Sequence, residues 1–269
     1  MAKITKIATQ KRAGRYNLEL DGRFAFGISE NVLAKFGLMK GRELTKEEIE
    51  RIKEADLVDQ GLKVALNYLS PALRTEKQVR DRLKGKEIKA AVIDSVIDYL
   101  KSQQLLNDAS YAKAYVQTKQ VFSPKGPRAI AMELKKAGVS ELLIDDALAN
   151  YQEESQLAVA TKLAEKIART HRRDSTRIRQ QKTAQALVQK GFSFDIATAA
   201  INQIDIASDE EDEQENAQRE AEKALRRQRT GTAKERYYKV KSKLYSKGFS
   251  AETIESVLEQ LDFGQDDER

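Results

Sequence analysis

The sequence predicts a mainly all-α fold: tandem three-helix bundles in an elongated, curved array, behind a small β-rich N-terminal cap. Three observations carry this. Nearly the same seven residues occur three times, as LKKAGVS at 134–140, LVQKGFS at 187–193 and LYSKGFS at 244–250, spaced 53 and 57 residues apart. Apolar residues recur at offsets of three and four from about residue 56 onward, the helical period. Before residue 46 the pattern alternates instead, as a half-buried strand does.

The N-terminal 46 residues read as strand, hairpin and short helix. RYNLELDGRFAFGI places Tyr16, Leu18 and Leu20 on one face, then Phe24, Phe26 and Ile28 after Asp21-Gly22. Asp-Gly between two alternating runs is a hairpin signal, because a type I′ turn needs positive φ at both central residues. A strand around 3–8 pairs with this hairpin. SENVLAKFGL is a helix capped by Ser29 and closed by Gly37, and Thr45 with Glu48 forms a capping box that leads into the next helix.

Alignment on Leu134, Leu187 and Leu244 exposes a degenerate fourth copy at Leu83, in LKGKEI. Val79, Ile130, Thr183 and Val240 then share one position, and Ile93, Ile144, Ala197 and Ile254 another. Each unit contains three helices: 56–69, 75–84 and 89–103; then 108–121, 127–136 and 140–150; then 155–171, 176–190 and 193–204; and finally 216–230, 232–246 and 250–261. Thr75 with Gln78 and Thr232 with Glu235 are capping boxes, and Pro127 suits a first helical turn, where its missing N–H costs nothing. Gly138, Gly191 and Gly248 stand where a second helix must stop, and Ser140, Ser193 and Ser250 where a third begins. A helix this short cannot hide its apolar stripe alone, so units pack internally and against one another. A phosphate loop would follow a strand and cluster its glycines, which these do not. The organisation expected is a cap at 1–50, repeats at 51–105, 106–153, 154–206 and 216–262, an extended acidic linker at 207–215 and an acidic tail at 263–269.

Composition narrows the function. With 48 Lys plus Arg against 42 Asp plus Glu the chain is mildly basic, at a net charge of +6. The absence of cysteine excludes disulfides and thiolate chemistry. No apolar run approaches the roughly 18 residues of a membrane span, and MAKITKIATQKR lacks the apolar segment of a signal peptide, so a cytoplasmic location without membrane contact is expected. The charge is segregated. Residues 157–204 carry nine Lys/Arg against three Asp/Glu, and 222–248 carry ten against two, while 205–215 holds seven acidic residues and no basic one. Arginine forks suit phosphates and carboxylates alike, so the last two repeats read as a surface for a polyanion rather than a plain solvated face. Tyr237 belongs to the core seam and Tyr238 to the exposed side. The lone His171 lies in this basic stretch without a second imidazole, Asp145-Asp146 sits on a solvated helix face, and consecutive carboxylates at 209–213 do not make a defined cation site. No catalytic residue, metal or cofactor is expected: the chain reads as a binder.

Three further stretches carry a family resemblance. YLSPALRTEKQVRDRL at 68–83 keeps the second of two spaced arginines at Arg74, with Ala72 at the first and Thr75 at the helix cap. LLNDASYAKAYV at 105–116 matches at Asp108, Tyr111, Ala112 and Tyr115. KGPRAIAMELKKAGV at 125–139 matches at Lys125, Gly126, Pro127, Arg128, Ile130, Glu133, Leu134 and Gly138. Together they resemble the bacterial regulatory protein RecX family, in its longer form. The resemblance implies a non-enzymatic modulator, acting as a monomer, that lies in the groove of a RecA recombinase filament on single-stranded DNA. It also implies restraint of that filament's ATP hydrolysis, strand exchange and co-protease activity, as part of DNA repair and the SOS response. Direct DNA binding would be weak and secondary. Candidate contacts are Arg74, Arg80 and Arg128 in the first half. In the second they are Arg172, Arg173, Arg177, Arg179, Lys182, Arg226, Arg227, Lys239 and Lys243. Two readings stay open beside it: a nucleic-acid-binding repeat protein acting alone through phosphate contacts, and a structural adaptor for an unrelated acidic protein.

Overall fold

A computed structural model describes residues 1–11, 13–204, 210–228 and 230–263. The chain divides into two compact units, one of residues 1–114 with 134–144, the other of residues 115–133 with 145–269.

The first unit opens with a sheet of order β3-β2-β1-β4, built from β1 (Ala2–Thr9), β2 (Arg15–Leu20), β3 (Arg23–Ser29) and β4 (Glu43–Leu44). All neighbours are antiparallel. Asp21 and Gly22 take φ of 50° and 80°, the two positive values the Asp-Gly turn requires. Helix α1 (Glu30–Lys35) starts at Ser29, whose hydroxyl accepts from the Val32 amide. Ile4, Leu18, Ile28, Val32, Leu38, Leu44 and Ile52 form the core of this cap.

Ile52 belongs to α2 (Lys46–Leu69), which runs 24 residues without a break. The helix entered at the Thr45–Glu48 capping box and the one read from residue 56 are therefore a single element. The Thr45–Glu48 capping box, present with both hydrogen bonds, nucleates the helix ten residues earlier. Its first half covers the sheet, while Ala65 in its second half enters the core of the first repeat. Alternation and helical period meet inside one element. Buried Asp56 marks the crossing: its carboxylate accepts from Arg15 at 2.6 Å, the Ser29 amide at 2.7 Å and Gln60 at 2.7 Å. A buried charge with three donors is compensated, not orphaned.

Helices α3 (Glu76–Lys84) and α4 (Ala90–Ser102) complete repeat one around Val79, Leu83, Ile93, Val96, Ile97 and Leu100. Next come α5 (Asp108–Val121), α6 (Pro127–Lys136) and α7 (Glu141–Leu148). In the second unit, α8 (Glu153–Thr170), α9 (Thr176–Gln189) and α10 (Phe194–Gln203) enclose Ala160, Ala164, Leu187, Phe192, Ala197 and Ala200. Finally α11 (Glu210–Arg227), α12 (Ala233–Ser246) and α13 (Ala251–Glu259) enclose Ala217, Ala221, Val240, Leu244, Phe249 and Ile254. The aligned positions Val79, Ile130, Thr183 and Val240 are all fully buried, which fixes the repeat register. A mainly α fold of tandem three-helix repeats behind a β-rich cap is thus what the chain adopts.

The acidic stretch needs a correction. Residues 205–209 and 264–269 lie outside the described residues, so part of the expected linker and most of the expected tail are not addressed. Residues 210–215, however, are helical, as the first turns of α11. Carboxylates are favoured there by the helix dipole. Glu213 also has a structural partner: its Oε2 accepts from the Thr176 amide and the Thr176 hydroxyl, both at 2.7 Å. A run read as solvated chain begins a helix and caps another.

The repeated heptapeptide does more than stop a helix. In the first unit the Thr75 hydroxyl, already the N-cap of α3, donates to Ala137 O at 2.6 Å in the turn after α6. In the second unit the Ser175 hydroxyl, N-cap of α9, donates likewise to Lys247 O at 2.7 Å in the turn after α12. Between them in sequence the contact is pure backbone: Gly126 N donates to Lys190 O at 2.9 Å and Arg128 N to Gly191 O at 3.2 Å. Here a side chain has no room. A Cβ on Gly191 would lie 2.4 Å from Ala129 N, and one on Gly126 2.3 Å from the Gly191 carbonyl carbon. The start of one repeat's middle helix thus docks on the end of the next repeat's middle helix.

This explains the worn first copy. The turn bond Val139 N to Leu134 O recurs as Phe192 to Leu187, Phe249 to Leu244 and Ile88 to Leu83. Glu87 therefore occupies the place of Gly138, Gly191 and Gly248, and it keeps their left-handed conformation, with φ of 60°. It is exposed. At an exposed position with no described repeat before it, glycine is dispensable.

Candidate partner-binding surface

Basic side chains sort by what they touch. In the first unit Arg80 is tied to Glu76 at 2.7 Å and to Asp94 at 2.6 Å. Lys101 also pairs with Glu76. Burial pushes the Glu76 carboxyl up, but hydrogen bonds from Lys101 and Arg80 outweigh it and hold the group below its usual range. Asp108, which accepts from the Glu76 amide at 2.8 Å, is shifted the other way, chiefly by burial and also by the Glu76 charge. Arg80 is thus engaged in holding α3 and α4 together. Arg74 is half-buried, with its guanidinium 4.5 Å from the centre of the Tyr68 ring.

In the second unit Arg128 is exposed at the start of α6, its backbone committed to the Gly191 turn. Lys125 and Tyr115 both donate to Glu133, the latter at 2.7 Å. These contacts hold the Glu133 carboxyl below its usual range although burial pushes it up. Burial alone raises the Tyr151 hydroxyl to about 12, and it donates to Lys125 O at 3.2 Å.

The arginine cluster at 169–182 separates into two groups. Arg179 donates from Nε to Ala168 O at 3.0 Å, satisfying a carbonyl near the end of α8, and Lys182 pairs with Asp174 at 2.7 Å. His171 reaches Asp174 at 3.3 Å and closes α8. Arg172, Arg173 and Arg177 are exposed and form no ion pair among the described residues. Arg172 O accepts from Asn216 at 2.7 Å, which anchors the loop while leaving its side chain outside.

In repeat four, α11 and α12 flank a cleft lined by Lys223, Arg227, Tyr238, Lys239, Lys243 and Lys247. Ser242 and Ser246 add hydroxyls, and Glu220 is the one carboxylate in the lining. Glu220 lies 3.8 Å from Lys223 and 3.3 Å from Lys247, and among the described residues Arg227, Lys239 and Lys243 form no ion pair. Lys239, Lys243 and Lys247 are one helical turn apart and face the cleft together. Tyr238 is 58% exposed at its edge, whereas Tyr237 packs against Phe263 in the core. Arg226 pairs with Glu222 at 3.3 Å, away from this lining. Of the residues the sequence singled out, the fold brings Arg227, Lys239 and Lys243 to one cleft. Lys223 was missed because it precedes the lysine ladder and lies on another helix. Such an arrangement can hold successive anionic groups of an extended polyanion. Among the described residues no group of three or more His, Asp or Glu side chains could hold a metal ion, and no helix is long and apolar enough to cross a membrane.

A family model described as the regulatory protein RecX N-terminal domain matches residues 2–45. Models of the first and second RecX three-helix domains match 62–100 and 107–148. The model of the third matches twice, at 153–201 and 210–258, so repeats three and four are variants of one unit. The regulatory protein RecX of Leuconostoc mesenteroides is 48% identical over 267 residues, covering 99% of this chain and all of that protein. That of Bacillus subtilis is 40% identical, covering 97% and 99%. A crystal structure of a regulatory protein RecX superposes with a TM-score of 0.65 at 40% identity, covering 76% of this chain and all of the other. The relatives are regulators by name, and on this evidence the chain belongs to the RecX family.

Proposed function

We propose that the chain binds the filament of a RecA-type recombinase on single-stranded DNA and restrains its ATP hydrolysis, strand exchange and co-protease activity. It would act as a cytoplasmic monomer. The observation that carries this reading is the cleft of repeat four, where Lys223, Arg227, Lys239, Lys243 and Lys247 face one opening beside exposed Tyr238. A filament of protein and single-stranded DNA presents both phosphate backbone and protein surface, the composite target to which cations and an amphipathic tyrosine are suited. Exposed Arg172, Arg173 and Arg177 extend the same sign of charge on repeat three. Membership of a family of regulators supports the same conclusion.

The test is ATP hydrolysis by RecA on single-stranded DNA with increasing amounts of the chain. Inhibition near stoichiometric protein is expected, and Lys239→Glu with Lys243→Glu should raise the concentration needed several-fold, since lost phosphate contacts weaken binding whatever the sequence. No inhibition by the unaltered chain would overturn the proposal. Tight binding to naked DNA with no added affinity for the filament would favour a nucleic-acid-binding protein that acts alone.

A further inference from the structure

Several cations around α3 in repeat one have partners. Arg80 has two carboxylates, Lys101 has Glu76, and Lys77 donates to Lys136 O at 3.1 Å. Arg74 and Arg82 differ. Among the described residues neither forms an ion pair or a hydrogen bond. Both instead converge on Tyr68, in the last turn of α2: the guanidinium carbon of Arg74 lies 4.5 Å from the ring centre and that of Arg82 5.6 Å. The Nε of Arg74 is buried without an acceptor. Tyr68 is half-buried and packed against the apolar core of the repeat, which fixes the platform on which both forks rest. Two guanidiniums held on one ring carry like charge, and the ring quadrupole only partly offsets their repulsion. An anion between them would relieve the repulsion.

We propose that Arg74 and Arg82, held on Tyr68, form an anion site that takes a phosphodiester group of a nucleic-acid backbone. Arginine forks bind the non-bridging oxygens of a phosphodiester through charge-assisted hydrogen bonds, and two forks on one ring can share such a group. A contact to the phosphate reads no base edge, so it is independent of sequence. The proposal rests on the reading of the chain as a protein that meets DNA. It assigns repeat one its own contact, distinct from the repeat-four cleft, and it replaces Arg80 with Arg82, which nothing in the linear pattern marked.

The test uses the full chain and a labelled oligothymidylate without recombinase, so its outcome is separate from any effect on the filament. Fluorescence anisotropy over a series of salt concentrations gives affinity and salt slope. Arg82→Ala, at an exposed position, is expected to weaken binding several-fold at low salt and to reduce the slope by about 0.7, the contribution of one phosphate contact on a single strand. Arg74→Ala should do the same, Arg74→Lys should restore only part of the loss, and Arg80→Ala should leave the slope unchanged. The site is refuted if Arg82→Ala leaves both affinity and slope intact, or if the unaltered chain does not bind the oligonucleotide at low salt. A glutamate-rich peptide that responds to Arg82→Ala while the oligonucleotide does not would likewise overturn it.

Discussion

Replacing Gly191 by alanine tests whether the repeated glycine is a joint between repeats. The added Cβ would sit 2.4 Å from Ala129 N, 2.5 Å from Ala129 Cβ and 3.0 Å from its Cα. Two of those atoms are backbone, so no rotamer change relieves the overlap. Gly191 also has φ of 93°, and a left-handed conformation costs an L-residue about 1–2 kcal/mol. Relief requires the start of α6 to move off the turn, stretching the bonds from Gly126 N to Lys190 O and Arg128 N to Gly191 O, each worth about 1 kcal/mol. The expected loss is about 3–4 kcal/mol. Urea unfolding followed by circular dichroism would show it as a lower midpoint, and hydrogen exchange should show faster exchange of the Gly126 and Arg128 amides. Glu87→Gly is the companion variant. It has the same left-handed backbone without a neighbour above it, so it should be neutral or stabilising by up to about 1 kcal/mol. Unfolding of Gly191→Ala at the midpoint of the unaltered chain would refute the joint.

Two other outcomes follow from buried and paired carboxylates. Asp56→Ala leaves Arg15 and the Ser29 amide without their acceptor, and should destabilise the cap by about 3–5 kcal/mol in the same unfolding assay; a loss below 1 kcal/mol would contradict the network. Glu76 is held below its ordinary value of 4.5 when folded, so its pairs with Arg80 and Lys101 contribute stability above that pH and lose it as pH falls through the folded value. Asp108, shifted upward, acts in the opposite sense. Glu76→Gln should therefore flatten the acid limb of stability against pH, and an unchanged limb would show that these pairs are not its source.

Local chemistry was legible in the sequence wherever neighbours in the chain act on one another. Asp21-Gly22 dictated its hairpin, Ser29, Thr45, Thr75 and Thr232 accept the amides their spacing foretold, and the aligned apolar positions are buried. The cation ladder of Lys239 and Lys243 could likewise be read from helical period alone. Three features could not. The first half of α2 carries no repeat signal, because its apolar face answers to a sheet formed by residues far behind it. The acidic start of α11 looks like solvated linker until Thr176, 37 residues earlier, is seen donating to Glu213. Arg80 and Arg82 are alike in the linear pattern, and only the placement of Asp94 and Tyr68 pairs one and leaves the other.

The heptapeptide shows where the division falls. By itself the sequence determined that glycine ends each middle helix and serine opens the next, since backbone sterics and capping hydrogen bonds act within a few residues. That the same glycine admits the helix start of the preceding repeat, and that Glu87 can replace it in the first repeat, was decided only by tertiary structure. The reason is physical: the absence of a Cβ at Gly191 matters because of Ala129, 62 residues away, and contacts over such separations leave no periodicity to read.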